Sequence, residues 1–127
     1  MNKVLIDSDI LIDFFRDKLY AVRSIKDIGI LNTIISSITY MELCRGAGNK
    51  SELDKIRQEL RSYDVLNFNP DVSILAMELI SNYHLSHNLQ IPDAIIAASA
   101  IHYNLKLHTN NKRDFKHIEG LNLWDKN

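Results

Sequence analysis

Short apolar runs that each end in a helix start restrict most strongly how this chain can fold. Val4-Leu5-Ile6 is unbroken and apolar, as in strands buried on both faces of a parallel sheet. Ser8 or Asp9 then offers an N-cap for a helix to about Arg16, with Ile10, Leu11, Phe14 and Phe15 at helical spacing. A weaker helical stretch covers Ala21 to Lys26. Thr33-Ile34-Ile35-Ser36-Ser37 repeats the theme as a β-branched strand. A helix from Thr39 to about Arg45 follows it, ended by Gly46 or Gly48.

The next helix begins at Ser51, with Leu53, Ile56 and Leu60 facing inward. Val65-Leu66-Asn67-Phe68 is a short strand, and Asn69-Pro70-Asp71 starts a long helix reaching about His87. Pro92 opens a helix from Asp93 to Tyr103 that carries the small-residue run Ala94-Ile95-Ile96-Ala97-Ala98-Ser99-Ala100. Leu105 to His108 reads as a fourth strand and Leu121-Asn122-Leu123 as the candidate fifth. Strands alternating with helices of this length predict an α/β architecture, with a mostly parallel sheet of four to five strands flanked by helices.

A chain of 127 residues, 46% hydrophobic and 24% charged, suits one globular domain over residues 1–127 and argues against disorder. The net charge of −1 does not advertise a nucleic-acid binder. A carboxylate metal site, however, subtracts charge that bound cations restore. The lone Cys44 rules out an intramolecular disulfide and a cysteine zinc site, and is expected as a small apolar side chain in a reducing cytoplasm. Asp7 interrupts the first apolar run too early for a signal peptide. No run approaches the roughly 18 residues of a membrane span.

The acids fall where chemistry is expected. In open α/β sheets, ligands bind outside the carboxyl ends of the strands. Asp7 ends the first strand, Glu42 lies a turn into the helix after the second, and Asp114 follows the fourth. Asp93, in the first turn of its helix, can converge on the same edge. Four carboxylates at one point repel unless hard, oxygen-preferring cations such as Mg²⁺ or Mn²⁺ sit between them. Each acid also has a structural alternative. Asp93 suits a helix N-terminus, and Asp114 suits a turn. Glu42 is flanked by the apolar Tyr40, Met41 and Leu43, so its helix is expected to be largely buried around it, and a buried acid needs a partner or a metal. Asp7 has little structural duty, with Ser8 and Asp9 at hand for capping.

These acids lie in segments that resemble a known family. Val4-Leu5-Ile6-Asp7-Ser8-Asp9-Ile10-Leu11-Ile12-Asp13 resembles the opening of a PIN domain. Ser36-Ser37-Ile38-Thr39-Tyr40-Met41-Glu42-Leu43 matches its second acidic motif, Ile91-Pro92-Asp93-Ala94-Ile95-Ile96-Ala97-Ala98-Ser99-Ala100 the third, and Leu107-His108-Thr109-Asn110-Asn111-Lys112-Arg113-Asp114-Phe115 the fourth. Phe115 followed by Ile118-Glu119-Gly120-Leu121 is also similar to the family's ending. The likeness spans nearly the whole chain in the family's order, and the VapC-type toxins of toxin–antitoxin pairs are most alike. One departure is Ile91-Pro92, where a Gly-bearing lead-in often precedes the third acid.

The resemblance implies a three-layer PIN-like fold and a Mg²⁺-dependent (or Mn²⁺-dependent) endoribonuclease acting on structured RNA such as tRNA. It implies that Asp7, Glu42, Asp93 and Asp114 form the catalytic, metal-holding set. Asp9 is a supporting candidate against an N-cap role, and Thr109 and Asn111 against ordinary turn chemistry. Arg16, Arg45, Lys50, Lys112 and Arg113 could meet the RNA backbone, with solvated surface the plainer role. Tyr83, Tyr103 and Trp124 could stack on bases, with packing the plainer role. The His84/His87 pair has no zinc pattern around it and reads as surface. Implied partners are RNA, a second copy held by helix faces, and a cognate antitoxin, for which the Leu53, Ile56 and Leu60 helix offers one docking face; no membrane is implied.

Three rivals share some of these residues. Asp7-Ser8-Asp9 after a strand also fits a haloacid dehalogenase-like phosphatase, but Asp93 after Pro92 at a helix start suits its later acidic loop poorly. A receiver-like signalling domain needs an acid after the middle strand, where Asn67-Phe68-Asn69 has none. A catalytically inactive PIN-fold binding module would have lost acids that are all present here.

Overall fold

The computed structural model describes residues 3–126; Met1, Asn2 and Asn127, at the ends of the expected 1–127 domain, lie outside the described residues. Four strands, β1 (Val4–Ile6), β2 (Thr33–Ser36), β3 (Asp64–Leu66) and β4 (Lys106–His108), pair in the order β3-β2-β1-β4. Every pairing is parallel, so the sheet is parallel throughout rather than mostly so. The candidate fifth strand is reduced to a single bridge, Leu107 with Leu123. There the Leu107 N–H donates to the Asn122 carbonyl (2.9 Å) and the Trp124 N–H to the Leu107 carbonyl (2.8 Å).

Strand alternation divides the interior in two. Val4, Ile6 and Ile35 point to one face, packed with Ile10, Leu11, Ala21, Ile25, Leu43 and Leu60. Those residues come from α1 (Ser8–Phe15), α2 (Leu19–Ile28), α3 (Ser37–Arg45) and α4 (Lys50–Leu60). Leu5 and Leu107 point the other way, onto α5 (Pro70–His87) and α6 (Ile91–His102). Ala94, Ala97, Ala98 and Ala100 are all buried, and their small side chains let α6 lie close to the sheet. The result is the three-layer αβα arrangement, in which each sheet face removes apolar surface from water.

Helix starts follow side-chain caps. Ser36 Oγ accepts from the Ile38 N–H, Asn49 Oδ1 from the Glu52 N–H and Asn69 Oδ1 from the Val72 N–H. Asn49 thus starts α4, two residues before the expected Ser51. The short α7 (Lys112–Phe115), pinned by the fully buried Phe115, has too few residues for a periodic pattern and was not expected. Among the described residues no helix is long and apolar enough to cross a membrane.

Candidate active site

The strand order places a topological switch beside β1. The chain moves from β1 to β2 to β3 in one direction, then returns to lay β4 on the other side of β1. Crevices outside the carboxyl ends of strands open at such points, and Asp7 and Thr109 stand there as the residues that leave β1 and β4. The Asp7 N–H donates to the His108 carbonyl (2.9 Å), holding the two strand ends together.

Asp7 is 5% exposed and, contrary to the sequence expectation, is itself the N-cap of α1: its Oδ1 accepts from the Ser8 N–H (2.8 Å). The Thr109 hydroxyl donates to Asp7 Oδ2 (2.7 Å) and accepts from the Asn111 N–H (3.0 Å). Thr109 therefore fixes both the carboxylate and the turn after β4. Asn111 contributes its backbone and caps α7 without a side-chain hydrogen bond.

Asp9 does not cap a helix. Its Oδ1 accepts from the Ile10 N–H (2.7 Å) and its Oδ2 from the Asn110 N–H (3.1 Å), so it ties the start of α1 to the turn after β4. Sequence reasoning missed the rest of this brace: the Tyr20 hydroxyl donates to Asp13 and accepts from the Asn110 side-chain amide. No local pattern marks Tyr20, because its partners lie 7 and 90 residues away.

Asp93 is half-buried in the first turn of α6. Burial first, then the Asp7, Asp114, Glu42 and Asp9 carboxylates, push it from the ordinary 3.8 up to about 6. Burial and then Asp7 push Asp9 to about 6 as well. Burial raises Asp7 against the pull of its Thr109 and Ser8 hydrogen bonds, and burial followed by Asp7 raises Glu42. The fold therefore brings Asp7, Glu42, Asp114 and Asp9 within electrostatic reach of Asp93. Glu42 departs from expectation in its setting. It is exposed, as is Met41 at 49%, and only Thr39 and Leu43 of α3 are buried. Its helix lies along the rim of the crevice, one side on the core and the other in water.

None of the four acids forms an ion pair with Lys or Arg among the described residues. Nor do any three His, Cys, Asp or Glu side chains among those residues stand close enough to grip a metal ion. An all-oxygen donor set with no protein cation among it is nonetheless the kind that hard divalent ions satisfy.

None of the remaining candidates forms an ion pair with the four acids among the described residues. Arg16, Arg45, Lys50, Lys112 and Arg113 are exposed, as are His84 and His87, and Cys44 is half-buried against the core. Tyr83 and Trp124 are partly buried, and Tyr103 is 36% exposed.

Comparison with known proteins shows the family. The sequence model of the PIN domain family matches residues 4–121. Ribonuclease VapC1 of Methanocaldococcus jannaschii is 27% identical over 129 residues, covering 98% of this chain and 89% of that one. Among solved structures, a toxin–antitoxin complex from Klebsiella pneumoniae contains a chain 31% identical, with a TM-score of 0.80 over 94% of this chain and 95% of that chain. DNA-bound VapBC from Salmonella typhimurium gives a TM-score of 0.82 at 25% identity, over 98% of both chains.

Proposed function

The chain belongs to the PIN-domain family, and from that premise we propose that it is a VapC-type endoribonuclease, the toxin of a toxin–antitoxin pair, acting in the cytoplasm on structured RNA such as tRNA. The observation that carries this reading is the set of four carboxylates at the switch between β1 and β4: burial and then Asp7, Asp114 and Glu42 raise Asp93, burial and then Asp7 raise Glu42, and none of the four has a basic partner among the described residues. Asp7, Glu42, Asp93 and Asp114 would hold Mg²⁺, or Mn²⁺ in its place. When bound, the cation would neutralise the scissile phosphate and supply an acidified water for hydrolysis.

The chain's own residues have separable duties. Asp7 is the fixed member, with both oxygens oriented by hydrogen bonds. Thr109 positions it without touching substrate. Asp93 presents its carboxylate from the rigid first turn of α6. Glu42 and Asp114 are exposed and stand where RNA would approach. Asp9 shapes the turn that carries Asn110 and Asn111.

The named relatives that are toxin–antitoxin complexes support a cognate antitoxin as partner. Of the helix face expected to receive it, Leu60 is turned inward, whereas Ile56 lines an open groove with Phe14, Phe15 and Val22. A homodimer would use another face, where Phe68, Met77 and Ile91 line an apolar groove between α5 and α6; Met77 and Ile91 are 63% and 68% exposed.

Cleavage of an RNA transcript in Mg²⁺ by wild type, Asp7→Asn and Asp93→Asn tests the reading. Losing a cation-holding carboxylate should cost more than the roughly 10–100-fold typical of supporting residues. Equal turnover by all three proteins would overturn the assignment. Turnover of small phosphate esters without cleavage of RNA would overturn the nuclease reading.

A further inference from the structure

Beside the acid cluster lies a cavity of about 370 Å³, bounded by α2, the turn after β4 and the C-terminal segment. We propose that it is a subsite for one nucleotide of the RNA, the base seated against Trp124 and a backbone phosphate met by Arg23 and Lys112. The proposal rests on the endoribonuclease reading and adds to it where an unstacked base is held.

Position comes first. Thr109 and Asn110 form one wall, and they are the residues that bind Asp7 and Asp9. A strand with its scissile phosphate at the acids would place a neighbouring nucleotide here. The cavity's volume lies within the range of about 300–1,000 Å³ usual for small-molecule sites.

The walls suit a nucleotide. The Trp124 ring lies 4.6 Å from that of His108, tilted by 57°, and forms part of the lining. His108 is 7% exposed and lines the same space. The Ser24 hydroxyl spends its one hydrogen on the Ala21 carbonyl (3.0 Å). The 2.9 Å contact between Ser24 Oγ and His108 Nε2 must therefore be donated by the ring. Nε2 thus carries a hydrogen, burial beside the Lys112 ammonium keeps the ring neutral, and Nδ1 is an acceptor with no partner among the described residues. The interior is therefore aromatic and uncharged, which suits a base.

The rim carries three cations, Arg23, Lys112 and Lys126, and two carboxylates, Asp27 and Asp125. Lys126 is drawn to Asp27 (3.3 Å), but Arg23 and Lys112 are exposed and in no ion pair among the described residues. A π surface beside unpaired cations is how proteins hold single-stranded bases and their phosphates. Recognition of unstacked bases is also the usual route to RNA specificity.

Trp124 is the chain's one tryptophan, so its fluorescence reports on this cavity. The test uses full-length Asp7→Asn protein in chelator, titrated with 5′-mononucleotides, a short single-stranded RNA and inorganic phosphate. The expected result is saturable quenching by nucleotides and RNA but not by phosphate, weakened at least tenfold when Arg23→Ala and Lys112→Ala are combined. Both positions are exposed, so folding is not at stake. RNA that binds by anisotropy while Trp124 stays silent would overturn the subsite, as would unchanged affinity in the double substitution. Equal quenching by phosphate alone would overturn base recognition. Cleavage by wild type with a silent Trp124 removes the subsite and leaves the nuclease. A responsive Trp124 with no Mg²⁺-dependent cleavage does the reverse.

Discussion

Thr109 concentrates much of the site's order in one hydroxyl. It is 2% exposed, donates to Asp7 at 2.7 Å and accepts from the Asn111 N–H at 3.0 Å. Thr109→Val keeps the shape and removes both bonds, leaving a buried carboxylate one donor short. Hydrogen bonds to charged groups are worth about 1.5–3 kcal/mol, so urea unfolding should show a loss of that order. RNA cleavage should fall by about 10–100-fold, as for other residues that orient a metal-holding group. Thr109→Ser should retain most of both properties. A valine variant as stable and active as wild type would show that the hydroxyl is idle.

Helix termini carry stability that is separable from function. At α4, Asn49 Oδ1 accepts from the Glu52 N–H (2.9 Å) while Glu52 Oε2 accepts from the Gly48 N–H (2.8 Å), a reciprocal cap of the capping-box kind. Asn49→Ala should lower the unfolding free energy by about 1 kcal/mol and leave RNA cleavage unchanged, since the cap holds none of the four acids. Loss of cleavage in this variant would mean that α4 has a part in the reaction. The same region shows what local sequence can and cannot reveal. Strand cores and long helices are legible because apolar runs and periodicity are local, and Asn69-Pro70-Asp71 marks the start of α5 to the residue. All four acids were legible from their places after strands or at a helix start, but the family likeness was needed to favour Asp114 as a ligand over a turn residue. Caps are less so: Ser8 and Asp9 are as good a local choice as Asp7, and only the Thr109 contact, 102 residues away, explains the buried carboxylate. Burial around Glu42 depends on which side of α3 meets the core. The Ser24–His108 bond spans 84 residues and leaves no trace in any short window.

Across the whole molecule, the acids make stability depend on pH and cation together. Asp9 and Asp93 are pushed to about 6 from the ordinary 3.8, and Asp7 and Glu42 are raised. Each binds its proton more tightly when folded, so metal-free protein should gain stability as pH falls from about 7 through 6 toward 4. His117, lowered by burial and then by His87, opposes this, and so does His108. Burial, then the Lys112 ammonium, lower it from 6.5 to about 4, so its contribution is present above 6.5 and lost as pH falls toward 4. Four acids outweigh two imidazoles, and Tm in chelator should rise between pH 7.5 and pH 5. Mg²⁺ should raise Tm more at pH 7.5 than at pH 5, because protons and cations relieve the same repulsion. Asp93→Asn should raise the metal-free Tm at pH 7.5 and shrink the Mg²⁺ response. A Tm that falls toward pH 5 in chelator and ignores Mg²⁺ would contradict the clustering of the acids.

The single bridge between Leu107 and Leu123 has a consequence for solubility. Without it, β4 would be an open edge presenting unpaired N–H and carbonyl groups, a template on which strands of other molecules could add. Leu107 instead spends both backbone groups on Asn122 and Trp124. The last turn of chain thus acts as a guard against aggregation, sealing the sheet on the side where its neighbour strand would otherwise be missing.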